Sequence, residues 1–246
     1  MIKAVLFDMD DTLLDINLTA FMALYAADMS RILSEISGES PLVLAAALGR
    51  CYLAMADPKR ADGLTNFQVY AREFRRITGV PVDEPHTRVA LRFYERELLP
   101  RRGSGIVAAR PMPGGREAVE MVCRLGLRTA LATNPSFSGP CIHTRMKWAN
   151  ISDLPFERVS HMCNSTRLKP SARYYAEFTS ALGLHPEECL MVGNDARRDF
   201  PRPDIGMRTI YVGHARPSKA VWSGRMSELA SELPAIVDRC NVEDAH

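Results

Sequence analysis

Three carboxylates, Asp8, Asp10 and Asp11, fall within four residues, directly after an apolar run from Ile2 to Phe7 that only Lys3 interrupts. A short apolar run ended by polar residues reads as a buried parallel strand. In an open α/β sheet, ligands gather beyond the carboxyl ends of such strands. Asp8 sits at that end. Strand alternation points Asp8 and Asp10 the same way and Met9 the other, as far as the strand geometry persists. Carboxylates this close stay ionised together only where a cation or hydrogen bonds offset their repulsion. A hard cation with oxygen ligands, Mg²⁺ above all, meets that need.

Other residues could complete such a site. Thr133 ends a second predicted strand, Leu127 to Ala132, and is followed by Asn134 and Pro135. A hydroxyl and free backbone N–H groups in such a turn can bind an anion. Lys169 stands just before Pro170 and a helical pattern. A cation at a helix start opposes the helix dipole, which argues for a functional reason. Gly193-Asn194-Asp195 closes a third apolar stretch, Cys189 to Val192, and Asp199 follows.

Phe7-Asp8-Met9-Asp10-Asp11-Thr12-Leu13-Leu14 resembles the first motif of the haloacid dehalogenase superfamily, Asp-x-Asp-x-Thr. Thr133-Asn134-Pro135 after Leu131-Ala132 resembles the second, and Arg167-Leu168-Lys169-Pro170 the third. Val192-Gly193-Asn194-Asp195 with Asp199 resembles the fourth, in which the common Gly-Asp has become Gly-Asn-Asp. The resemblance implies that Asp8 is the phosphoryl acceptor and Asp10 the general acid/base. It implies that Thr133 and the Asn134 amide bind the transferring phosphate, and that Lys169 neutralises aspartate and phosphate charge. Mg²⁺ would be held by Asp8, Asp10 and Asp195, with Asp199 orienting a metal-bound water or Lys169. Asn194 and Asp195 both align with the usual metal ligand; Asp195 is preferred because a carboxylate serves Mg²⁺ better than an amide. The motifs come in family order from Asp8 to Asp199. The family arrangement sets the first strand between those carrying the second and fourth motifs.

These residues need a frame. After Asp15 the pattern turns helical, with Leu18, Phe21, Met22, Tyr25, Met29, Ile32, Leu33 and Ile36 at three- and four-residue steps and Gly38 as a stop. A second helix runs from Pro41 to about Ala56, a third from Thr65 or Asn66 to Gly79, and a fourth follows Pro85. Consecutive helices with short connections predict an antiparallel bundle. Arg101 and Arg102, in a Pro/Gly-containing linker, read as a solvated hinge. From Pro111 helix and strand alternate, which argues for a parallel sheet. Phe200-Pro201-Arg202-Pro203 predicts a broken or very short helix after Asp199, and Pro234 predicts a kink or break in the last helix. The expected fold is therefore α/β, a Rossmann-like parallel sheet core over residues 1–15 and 106–246 with an α-helical cap domain inserted at 16–105. Lys59 and Arg60, a basic pair in a cap loop, are candidate substrate contacts.

The 246 residues, 46% of them hydrophobic and 24% charged, suit a globular chain, and a net charge of +2 gives no case for a nucleic-acid or membrane surface. No apolar run approaches a membrane span, and no signal-peptide pattern precedes the first strand. A cytoplasmic location is expected. The six cysteines show no Cys-x-x-Cys pair and no metal-ligand spacing with the six histidines, so free thiols are expected. The leading expectation is Mg²⁺-dependent hydrolysis of a small phosphorylated metabolite through an aspartyl-phosphate, with the helical cap closing over the site. A sugar-phosphate mutase or phosphotransferase would keep the same residues. A non-catalytic binding protein on this scaffold is the contrasting class, against which the intact acids argue, and a dehalogenase would have no need of the metal that Asp10 and Asp195 suggest.

Overall fold

The N-terminal apolar run forms β1, Ala4–Phe7, buried at all four residues, as a strand covered on both faces must be. The computed structural model describes residues 1–243. Beyond β1 the chain makes β2, Leu14–Asp15, then four helices. The first, α1, Leu18–Ser37, begins where the Asn17 side chain accepts a hydrogen bond from the Ala20 N–H (3.1 Å). It ends at Gly38, whose φ of 76° gives the left-handed C-terminal cap that glycine adopts without penalty. Pro41 opens α2, Pro41–Ala56. Thr65 and Gln68 form a reciprocal capping box at the start of α3, Asn66–Thr78. Pro85 opens α4, Pro85–Phe93, which continues through a π-helical turn, Tyr94–Leu98, and a 3₁₀ turn, Leu99–Arg102.

β3, Arg110–Pro111, returns antiparallel to β2, pairing Leu14 with Pro111 and Asp15 with Arg110. This ribbon of two short strands, which periodicity did not predict, frames the helical segment. Of the two linker arginines, Arg102 is not simply solvated. Arg102 donates to both carboxylate oxygens of Asp28 on α1 (3.1 and 3.0 Å), and Tyr94 Oη donates to the same group (3.0 Å).

The rest alternates: α5, Gly115–Arg124; β4, Arg128–Leu131; α6, Gly139–Trp148; β5, Phe156–Val159; α7, Ala172–Ser180; β6, Cys189–Gly193; β7, Arg208–Val212; β8, Ala220–Gly224; and α8, Met226–Glu243. The main sheet has the order β5-β4-β1-β6-β7-β8 and is parallel throughout. It is the α/β fold expected. Side chains of β1 alternate between two cores. Val5 and Phe7 join Val119 and Leu229 from α5 and α8, while Ala4 and Leu6 join Tyr174, Tyr175 and Phe178 from α7. The segment after Asp199 forms no helix, and Arg202 instead bridges to Ser171. Pro234 lies inside α8 without ending it. Among the described residues none of the six cysteines forms a disulfide, and no helix is long and apolar enough to cross a membrane.

Candidate active site

Phe7 sits opposite Leu131 on one side and Val192 on the other. The residues that follow these three therefore leave the sheet together. Asp8 N donates to Val192 O (2.9 Å), and Ala132 N donates to Phe7 O (2.7 Å). After Asp8 the chain doubles back: Leu13 N and Leu14 N both donate to Met9 O (2.9 and 2.8 Å). Asp11 takes φ of 54° in that turn, a left-handed conformation that aspartate tolerates better than most residues. The turn folds Asp10 over the strand end. Asp8, Asp10, Asn134, Lys169, Asn194 and Asp195 then line one cleft of about 100 Å³.

Lys169 is the electrostatic centre of the cleft. Its Nζ lies 2.7 Å from Asp8 Oδ1 and 2.7 Å from Asp199 Oδ1, and its side chain is 1% exposed. Burial alone would lower its pKa, but the Asp199 and Asp8 charges outweigh burial and hold it well above the ordinary lysine value. It therefore stays an ammonium. Asp199 is buried too; burial pushes its carboxyl up against the pull of Lys169. Its second oxygen accepts from Asp195 N (2.9 Å), so it braces the fourth-motif turn. Gly193 makes this approach possible, because a Cβ there would overlap the Asp199 carboxylate.

Asn134 Oδ1 accepts from Lys169 N (3.2 Å), which ties the second motif to the third and leaves the Asn134 amide nitrogen as a donor. Thr133 is buried beneath, its carbonyl accepting from Ser160 Oγ (2.6 Å) and Tyr174 Oη (3.1 Å). The structure thus brings Asn134, rather than Thr133, to the cleft wall. In the fourth motif, Asn194 Oδ1 accepts from Thr12 Oγ1 of the first (3.3 Å). The Asp195 carboxylate turns to its own loop, accepting from Arg197 N (2.8 Å) with Arg198 Nε 3.7 Å away.

The cap-loop pair does not reach this cleft. Lys59 is exposed and lines no part of it. Arg60 is committed to its own loop, donating to Met55 O, Asn66 Oδ1, Asp62 and Leu64 O. The expectation that they contact substrate is corrected accordingly: a guanidinium whose donors are already satisfied by backbone and side-chain oxygens has little left to offer a ligand.

Arg145, on α6, was not singled out from the sequence. It is completely buried and paired with the Asp10 carboxylate. Its guanidinium lies between the rings of Phe21 (4.9 Å) and Phe137 (5.0 Å). Burial lowers its pKa to about 9, opposed by the charge of Asp8. Nε and Nη1 have no hydrogen-bond partner. The sequence did hold a signal: Arg145 is four residues from Cys141 and from Ala149, both buried, so it falls on the inner stripe of its helix. Removing one partner of a buried ion pair leaves the other charge uncompensated, and misplacing a reacting group can cost about 100-fold in rate. Arg145→Met should therefore lower the urea unfolding midpoint, because Asp10 loses its partner, and lower kcat by about 100-fold. A variant with full activity would separate Arg145 from the chemistry.

A profile for haloacid dehalogenase-like hydrolases matches residues 2–201. The chain belongs to this family. Its fold is similar to that of a haloacid dehalogenase (HAD) phosphatase from Thermococcus onnurineus, at 19% identity and a TM-score of 0.57, covering 96% of this chain and 98% of that one. It is also similar to the L-2-haloacid dehalogenase from Xanthobacter autotrophicus, at 15% identity and a TM-score of 0.51, covering 95% and 99%. A haloacid dehalogenase-like family hydrolase from Xanthomonas campestris matches at 20% identity and a TM-score of 0.55, covering 98% and 94%. None of the curated proteins compared with the chain matches it. The structural likenesses bear on fold, and they include both phosphorus and carbon–halogen chemistry by name.

For a haloacid dehalogenase-like hydrolase the donor chemistry at the cleft fits a hard divalent cation. Asp8, Asp10, Asn194 and Asp195 present oxygen at one strand edge, the ligand type that Mg²⁺ takes. Among the described residues no three His, Cys, Asp or Glu side chains already converge as a metal cluster. Lys169 and Arg145 instead neutralise the two acids of the first motif.

Proposed function

We propose that this hydrolase cleaves a small phosphomonoester through an aspartyl-phosphate on Asp8. The observation that carries the reading is the buried ion chain Asp8–Lys169–Asp199 at the end of β1. It holds one Asp8 oxygen by a fixed cation and leaves the other to attack. A carboxylate nucleophile attacks phosphorus as the ester P–O bond breaks. Protonated Asp10 supplies the proton to the departing alkoxide and later, as a carboxylate, accepts one from the water that attacks phosphorus. Arg145 pairs with the carboxylate form of Asp10, the form that accepts the water's proton. Lys169 and the Asn134 amide offset charge on the phosphoryl oxygens. Asp8, Asp10 and Asp195 or Asn194 would hold Mg²⁺, which would supply further charge neutralisation at those oxygens.

Release of phosphate from simple phosphomonoesters tests the reading. Turnover should require Mg²⁺, fall to background in chelator, and be supported poorly by Ca²⁺, which takes more oxygen ligands at longer distances. Full turnover in chelator would sink the metal assignment. Halide release from 2-haloacids without phosphate release would move the chemistry from phosphorus to carbon. Transfer to a sugar phosphate faster than to water would make the enzyme a mutase.

A further inference from the structure

Beside the catalytic cleft lies a larger cavity of about 310 Å³, within the size range of small-molecule sites. At about 30 Å³ per water-sized group it has room for about ten non-hydrogen atoms. It opens among α1, α2, α3 and the turn that follows Asn134, and most of its wall is apolar: Met22, Met29, Leu48, Met55, Phe67 and Phe137. Two observations join it to the cleft. Leu18 lines the cleft, and Met22, one turn further along α1, lines the cavity; a turn of helix is about 5.4 Å. Asn134 lines the cleft, and Ser136, two residues on, lines the cavity. The aromatic sandwich of Phe21, Arg145 and Phe137 stands at the join, with Arg145 touching Asp10 on one side and Phe137 facing the cavity on the other.

The cavity also holds polar groups. Glu95 is buried, and its carboxylate already accepts from Tyr25 Oη (2.6 Å). Tyr70 also lines the cavity, but its hydroxyl is fully buried. Bundle packing does not need a cavity of this size, and a void forfeits contacts on every wall.

We infer that the cavity receives the organic part of the substrate, so that the preferred phosphomonoester carries an apolar body of about ten non-hydrogen atoms. This rests on the phosphohydrolase reading. It sets the substrate apart from small polar phosphates, whose hydroxyls would be left without partners along an apolar wall.

The test is phosphate release with Mg²⁺ from ethyl, butyl, hexyl and octyl phosphates. Full burial of a methylene is worth about fourfold, so kcat/KM should rise at least about tenfold from ethyl to hexyl phosphate. Ala45→Phe narrows the cavity and should lower the hexyl-to-ethyl ratio at least about fivefold. Gly49→Leu serves the same purpose should Ala45→Phe not fold, because a Cβ at Gly49 meets nothing within 4 Å. Equal kcat/KM across the alkyl series, with ethyl phosphate turned over, would overturn the inference and leave the phosphohydrolase reading standing. Absence of turnover for every ester would overturn both.

Discussion

Asp8→Asn should abolish measurable turnover, a loss of at least about 10⁴-fold, as removal of an essential nucleophile does. The substitution keeps the size of the side chain and replaces the attacking carboxylate by a weakly nucleophilic amide. It should do so without unfolding the protein. An asparagine oxygen can still accept from Lys169 Nζ, and Lys169 keeps its second partner, Asp199, at 2.7 Å. The change in unfolding free energy should stay within about 1 kcal/mol, the scale of one altered hydrogen bond. Isotope placement distinguishes the route. Turnover of the native enzyme in ¹⁸O-water should place label in phosphate and none in Asp8, because water attacks phosphorus. Label in Asp8 would mean attack at the acyl carbon, and retention of near-normal turnover in Asp8→Asn would remove the covalent route. Trapping by beryllofluoride should modify Asp8; modification at Asp10 or Asp11 instead would relocate the nucleophile.

The parts of this molecule that the sequence discloses are those coded locally. β1 is legible because a central strand needs apolar residues on both faces, and Ala4–Phe7 supplies them. The ends of α1 and α3 are legible because Asn17, Gly38, Thr65 and Gln68 satisfy orphan backbone groups by contacts within a few residues. β8 was missed for the opposite reason. It lies at the sheet edge, four of its five residues are only partly buried, and Ala-Val-Trp-Ser-Gly shows neither a continuous apolar run nor strict alternation. The β2–β3 ribbon has two residues per strand and joins positions 95 apart in Asp15 and Arg110, too short for any period. The helix beyond Pro234 persists because a proline removes one hydrogen bond and leaves the rest of the packed face, such as Leu233, Ile236 and Val237, in place.

The site divides in the same way. Asp8, Lys169 and Asp199 were readable from motif order, and the structure joins them in one ion chain. The pairing of Arg145 with Asp10 depends on two elements 135 residues apart, and nothing in the local composition of α6 declares it. Arg60 illustrates the reverse failure. A basic residue on a loop reads as available, yet its loop folds carbonyls and Asp62 around it. Charge is visible in a sequence; whether it is already satisfied is a tertiary fact.

Lys169→Met should damage both stability and rate. It removes the only ammonium between Asp8 and Asp199, which are both buried and both bonded to it at 2.7 Å. Removing one partner from a buried ion pair costs about 3–5 kcal/mol, because the remaining charge is left uncompensated. The loss should depend on pH. Burial already pushes the Asp199 carboxyl up with Lys169 present, and without the lysine it moves further. A carboxyl whose folded pKa lies above its unfolded one contributes stability at low pH that is lost as pH rises through the folded value. The lysine of the native protein, raised well above its ordinary value, contributes fully at every pH below that ordinary value. The deficit of Lys169→Met should therefore be largest near pH 8 and shrink near pH 5, as urea unfolding at the two pH values would show. Activity should fall about 10³-fold, since the same ammonium faces the transferring phosphoryl group. Adding Asp199→Asn to Lys169→Met removes one of the two orphaned charges, so the double variant should recover part of the stability at pH 8 without recovering activity. A single variant as stable as the native protein at pH 8 would disprove the ion chain as a structural element, and activity within tenfold of native would remove Lys169 from the reaction.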